Sequence, residues 1–259
     1  MRNSPLSSPK STPQQQENAP ARSSSLGSEV ELAHTGQAVK ARSSTEQIPS
    51  GKVTLEGELS VPAGATGVVL FVHGSGSSRH SPRNQFVARM IREAGLGTLL
   101  FDLLTQQEEA VDLSTRHLRF DIGLLAERLV DATNWIKSKA ETSHLQVGYF
   151  GASTGGGAAL VAAAELGEEI GAVVSRGGRP DLAGDALPEV RSPTLLIVGG
   201  LDFPVIRMNQ EAHAQLRCEK KLVIVPGATH LFEEPGTLEE VADLAAHWFQ
   251  HYLGADSAT

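Results

Sequence analysis

A serine, an aspartate and a histidine, in that chain order and each close to glycine, are the side chains best suited to nucleophilic chemistry. Ser153 lies in Gly151-Ala152-Ser153-Thr154-Gly155. This G-x-S-x-G spacing suits a sharp turn that exposes a serine Oγ while the glycines let neighbouring backbone approach without a Cβ clash. A serine hydroxyl is a weak nucleophile until a base takes its proton. Of the nine histidines, His230 in Gly227-Ala228-Thr229-His230-Leu231-Phe232 follows an apolar β-type run and lies downstream of Ser153. His34 sits in the N-terminal stretch, His117, His213, His247 and His251 in or beside helical patterns, and His144 before a β-type run. The base in turn needs a carboxylate to fix its tautomer and stabilise the imidazolium. Asp202, in Gly199-Gly200-Leu201-Asp202, is favoured, and Asp181 is the competing acid. Asp202 has a rival role as N-cap of a helix starting near Pro204.

Acyl chemistry needs two donors for the oxyanion. The backbone N–H of Thr154 is one candidate, and that of Ser75, in His73-Gly74-Ser75-Gly76-Ser77, is the other. His73 could serve as a second base, but a ring hydrogen-bonded to hold this loop is the expectation. Arg176 and Arg179 follow a β-type run and suit a substrate carboxylate or phosphate, or a pairing with a local acid such as Asp181. Asp102 is expected to anchor the adjacent loop, Cys218 to be inert, and Glu233 and Glu234 to form a solvated run. No His/Asp/Glu cluster has metal-ligand spacing, and neither a P-loop nor a dinucleotide fingerprint is present. No metal and no cofactor are therefore expected.

The elements that must position these groups alternate between two periods. Short apolar runs predict strands at Lys52–Val61 (one or two), Gly67–Val72, Gly97–Leu104, Leu145–Phe150, Gly171–Val174, Thr194–Val198 and Lys221–Val225. Between them, apolar spacing predicts helices at Asn84–Ala94, Asp121–Lys137 and Thr154–Leu166, and a last helix over Thr237–Tyr252. Apolar residues at consecutive strand positions mean that both faces are covered. Alternation with helices means βαβ crossovers, hence an α/β fold with a mainly parallel, doubly wound sheet. Ligands in such sheets bind beyond the carboxyl ends of the strands, which is where Ser153, Asp202 and His230 fall.

The first 50 residues differ from the rest. They hold no aromatic residue and are rich in Ser, Pro and Gln. Such a stretch buries too little apolar area to offset the entropy of ordering it, so residues 1–50 are expected to be a disordered tail and residues 51–255 the domain. The tail lacks the apolar core of a signal peptide, and Glu17, Glu29 and Glu31 weigh against a transit peptide. A net charge of -8 gives no footprint for nucleic-acid phosphates. No apolar run is long enough to span a bilayer. A single cysteine precludes an internal disulfide and fits a cytoplasmic location.

Taken together, VVLFVHGSGSS, GYFGASTGGGAA, PTLLIVGGLD and VIVPGATHLF, spread over residues 52–253, resemble the α/β-hydrolases, and within them the dienelactone hydrolase-like proteins. The resemblance implies a serine hydrolase with Ser153, Asp202 and His230 as nucleophile, acid and base, acting on a small-molecule ester or lactone. The family's nucleophile is a cysteine, and serine stands at the matching position, which separates this chain from dienelactone itself as substrate. About twenty residues join the strands at Val174 and Thr194, too few for a lid domain. An acyltransferase or thioesterase would use the same groups, and a binding protein that performs no catalysis is the reading from another class.

Overall fold

The structure, a computed structural model, describes residues 42–254. The expectations for residues 1–41 and for the last five positions lie outside the described residues. Eight strands form one sheet: β1 (Arg42–Ser50), β2 (Val53–Val61), β3 (Gly67–Val72), β4 (Gly97–Phe101), β5 (Gln146–Ala152), β6 (Ile170–Arg176), β7 (Thr194–Gly199) and β8 (Lys220–Val225). Their order is β1-β2-β4-β3-β5-β6-β7-β8. β2 runs antiparallel to both of its neighbours, and every other pairing is parallel. Among the described residues there are six α-helices: α1 (Pro82–Glu93), α2 (Gln106–Thr115), α3 (Ile122–Ser138), α4 (Thr154–Leu166), α5 (Phe203–Gln215) and α6 (Thr237–Leu253).

β3 shows why the central strands read as unbroken apolar runs. Val68, Leu70 and Val72 pack in the layer with α3 and α4, whereas Val69 and Phe71 pack in the layer with α1 and α6. Leu125, Leu129, Ala132 and Ile136 cover the first face, and Val87, Ile91, Val241 and Phe249 cover the second. Each fully buried Val, Leu, Ile or Phe contributes about 1.5–3 kcal/mol relative to an exposed one.

The domain begins earlier than its composition implies. Residues 42–50, expected in the tail, form β1 and pair with β2 in register from Arg42↔Val61 to Ser50↔Val53. The two-residue turn rests on Gly51 at φ 54°. The segment RSSTEQIPS is polar because an edge strand is held by ladder hydrogen bonds and needs few apolar contacts. Ile48 is its one fully buried apolar side chain. The strand predicted over Gly97–Leu104 also stops early, at Phe101. There the Asp102 N–H donates to Glu56 O at 2.9 Å, and the chain turns towards α2. Between β6 and β7 the chain makes only short 3-10 turns over Pro180–Glu189, with no inserted lid. Among the described residues no helix is long and apolar enough to cross a membrane.

Candidate active site

Ser153 occupies the single residue between β5 and α4, at φ 51° and ψ -123°. A non-glycine residue at positive φ costs about 1–3 kcal/mol and persists only where its surroundings over-determine it. The two motif glycines supply that constraint. A Cβ on Gly155 would lie 2.1 Å from the Val72 carbonyl oxygen, and one on Gly151 would lie 2.6 Å from Gly155 O. α4 can therefore start hard against β3 and β5 only without those carbons. The Ser153 N–H donates to Arg176 O at 3.3 Å, and the Ser153 carbonyl accepts from Gly156 and Arg179. Its Oγ makes no hydrogen bond among the described residues.

His230 and Asp202 meet across the ends of β8 and β7. His230 Nδ1 donates to Asp202 Oδ2 at 2.6 Å, which leaves Nε2 as the free ring nitrogen. The aspartate side chain is 13 % exposed and the histidine 40 %, so the carboxylate is shielded while the ring stays reachable. Asp202 is the N-cap residue of α5, but its side chain makes no capping bond; the carboxylate serves the imidazole instead. The competing acid is engaged elsewhere: Asp181 takes Arg179 Nε at 2.8 Å and Nη2 at 2.7 Å. That ion pair also answers the alternative set out above for Arg179. A Cβ on Gly177 would lie 3.2 Å from His230 O and 3.5 Å from its Nδ1. His230 thus rests on the residue next to Arg176, whose carbonyl holds the Ser153 N–H. Glu233 and Glu234 are less free than expected: Glu234 accepts the Thr229 N–H at 3.0 Å, and Glu233 meets Arg83 at 3.2 Å. Buried Phe232, at φ 55°, completes a tightly turned histidine loop.

Thr154 is the first residue of α4, so its backbone N–H is one of the unpaired donors of a helix start. The Ser75 N–H donates to Thr154 Oγ1 at 3.0 Å, and the two hydroxyls lie 3.1 Å apart. The second expected donor is therefore occupied by a side-chain oxygen that a substrate oxygen would have to replace. His73 is buried and hydrogen-bonded at both ring nitrogens: Nδ1 donates to Gly74 O at 3.0 Å, and Nε2 accepts from Leu103 N–H at 3.1 Å. Burial pushes its pKa down, so the ring is a neutral clamp joining the loops after β3 and β4. Asp102 does anchor its loop, accepting the Arg79 N–H at 2.7 Å and pairing with the Arg79 guanidinium. Cys218 lies partly buried near Thr194, away from these groups.

Beside the elbow a cleft of about 500 Å³ is lined by Gly74, Ser75, Thr154, Arg83, Leu104 and Arg119, among others. One wall, α2 with the 3-10 turn Leu118–Phe120, has no counterpart in the elements predicted from periodicity. Its apolar face is weak, but a capping box marks its start: the Thr105 hydroxyl accepts the Glu108 N–H, and the Glu108 carboxylate accepts the Thr105 N–H. Thr105-x-x-Glu108 was the readable signal for it. Buried Arg128 holds Glu108 through both oxygens at 2.7 and 2.5 Å. That pairing, ahead of the capping bonds, draws the Glu108 pKa down to about 2. Arg119 is held on the buried carboxylate of Asp112.

The model of the Dienelactone hydrolase family matches residues 55–253. The chain belongs to the dienelactone hydrolase family. The chain is 65% identical to a dienelactone hydrolase from Anabaena variabilis ATCC 29413, a crystal structure that it matches over 82% of this chain and 99% of that one, with a TM-score of 0.81. Est1E from Butyrivibrio proteoclasticus shares the fold at 16% identity, with a TM-score of 0.68 over 80% of this chain and 98% of that one. Two curated Mycobacterium tuberculosis proteins, both named "Putative phosphoribosyl transferase", are 58% identical over 207 residues. That alignment takes in 80% of this chain, which spans about half the length of those relatives (46%).

Proposed function

We propose that this hydrolase cleaves small carboxylic esters or lactones through an acyl-enzyme on Ser153. The observation that carries the reading is the 2.6 Å hydrogen bond from His230 Nδ1 to Asp202, which leaves Nε2 free to act as a base towards a serine held at positive φ. In the proposed course Ser153 Oγ attacks the carbonyl carbon as its proton passes to His230 Nε2. The Thr154 and Ser75 N–H groups take the oxyanion, Ser75 giving up its bond to Thr154 Oγ1. The imidazolium then protonates the departing alkoxide, which stays tethered when the substrate is a lactone. Water, deprotonated by His230, releases the acid and restores Ser153.

The transferase name belongs to proteins about twice as long. Acyl transfer to an acceptor other than water would use the same residues. The test is labelling by a fluorophosphonate probe, wild type beside Ser153→Ala, mapped by peptide mass spectrometry, with turnover of short nitrophenyl esters measured in parallel. Labelling at Ser153 and turnover that both vanish in the variant are the expected result. A folded wild type that neither labels nor turns over would refute it.

A further inference from the structure

The segment Arg176–Arg179, at the end of β6, touches the carriers of all three candidate catalytic groups. Ser153 is held on both sides: its N–H donates to Arg176 O at 3.3 Å, and its carbonyl accepts the Arg179 N–H at 2.9 Å. The ring of His230 lies against Gly177, which sits at φ 51°; a Cβ there would lie 3.5 Å from Nδ1 and 3.6 Å from Cε1. The Gly177 N–H donates to Ile197 O at 2.7 Å, in the strand that runs on towards Asp202. Gly178 packs on the first turn of α4, where a Cβ on Gly156 would lie 3.1 Å from Gly178 Cα. The segment meets all these neighbours through backbone atoms and bare glycine faces.

Among the described residues, one side chain from another element hydrogen-bonds to this segment's backbone. Asn209 Nδ2 donates to Gly178 O at 3.0 Å and to Val205 O, in its own helix, at 2.8 Å. Asn209 is fully buried in the middle of α5, the helix whose N-cap residue is Asp202. Asparagine suits a helix interior poorly, because its side chain competes for backbone hydrogen bonds. Its Oδ1 is sealed from solvent without a partner. Turning the amide over would set Oδ1 against two carbonyl oxygens, so the orientation is fixed. A half-answered amide destabilises a buried position that leucine would fill without polar loss. What the amide supplies is a tie between Gly178 and the helix that Asp202 opens.

We infer that Asn209 is a positioning residue: it locks Arg176–Arg179 to α5 and so sets the Asp202–His230 pair at working distance from Ser153. This role rests on the hydrolase reading proposed above. Without the tie, the segment still holds Ser153 and α5 still carries Asp202, but the two halves of the site can drift apart. A misplacement of about 1 Å between reacting groups lowers a rate by about 10²-fold.

The test compares variants that cut the tie with one that weakens the fold elsewhere. Asn209→Leu keeps the volume and removes both the tie and the orphan oxygen; Asn209→Ala removes them by truncation. Thr133→Val is the control, since it deletes a buried 2.6 Å hydrogen bond between α3 and Tyr149 of β5. For a short nitrophenyl ester, kcat is expected to fall about ten- to hundredfold in both Asn209 variants, with KM changed by less than about twofold. The rate of fluorophosphonate labelling at Ser153 should fall in parallel, and the downfield proton resonance of His230 Nδ1–H should shift or broaden. Asn209→Ser, which keeps a hydroxyl donor, should recover part of the loss, and it decides the matter if the other two fail to fold. Thr133→Val should lower the urea midpoint and leave kcat, labelling and the resonance at wild-type values. Wild-type kcat in a folded Asn209→Leu, or an equal loss of kcat in Thr133→Val, overturns the assignment. A wild type that neither labels nor turns over overturns the hydrolase reading. The resonance still reports on Asn209 in that case, and one left undisturbed by Asn209→Leu overturns the positioning role as well.

Discussion

Asp202 illustrates how one side chain is assigned a task. Aspartate at the start of α5 is a natural cap, yet its carboxylate turns to His230 and leaves the helix end uncapped. That choice sacrifices up to about 1 kcal/mol of helix stability for an oriented imidazole. Asp202→Asn keeps the shape but lets the wrong ring tautomer form; kcat for a nitrophenyl ester is expected to drop by about 10³–10⁴-fold with the fold intact by circular dichroism. His73 makes the opposite use of an imidazole. Its pKa in the folded state lies below the ordinary value of about 6.5, so the unfolded chain binds the extra proton first. Its contribution to stability is present above that pH and is lost as the pH falls below it. Urea midpoints measured from pH 7.5 down to pH 5 should fall in the wild type and fall less in His73→Gln. Parallel curves would show that the clamp does not titrate.

Among the elements, α4 and α2 are set in place by different means. α4 owes its position to missing atoms. In Gly155→Ala the new carbon meets the Val72 carbonyl, a backbone atom that cannot swing aside. A loss of about 3 kcal/mol is expected from the urea midpoint, with ester turnover falling alongside because Ser153 moves with the helix. α2 owes its position to charge. Glu108 is held far below the usual carboxylate range, so its contribution is present above about pH 4.5 and disappears as the pH falls towards 2. Glu108→Gln leaves Arg128 buried without its partner and should lower the melting temperature at pH 7. The gap between the two proteins should narrow steadily on acidification. A gap that stays constant to pH 3 would assign the effect to packing.

Across the whole molecule, β1 closes one edge of the sheet. Ile48 is fully buried, Glu46 pairs with Lys139 at 2.9 Å, and Ser50 donates to Asp131 at 2.7 Å. A chain starting at residue 51 gives up these contacts and should melt well below one starting at residue 42; equal melting curves would make β1 dispensable. This strand also shows where one-dimensional reading stops. The central strands, the helices that cover them and the glycine-flanked serine were legible because burial on both faces imposes unbroken apolar runs, and close approach imposes glycine. β1 was not, since an edge strand is recruited by the hydrogen bonds of its neighbour and needs almost no apolar signature. α2 was missed for a related reason, its stability residing in a cap and an ion pair with α3. At the site, chain order and strand ends singled out Ser153, Asp202 and His230 as candidates, and the structure brings Asp202 and His230 together. Which carboxylate faced the histidine, that Thr154 held the Ser75 N–H, and that Arg176 had no acid among the described residues were decided only by the fold. Ion pairing depends on distances between residues far apart in the chain, and the spacing of letters along it carries no measure of them.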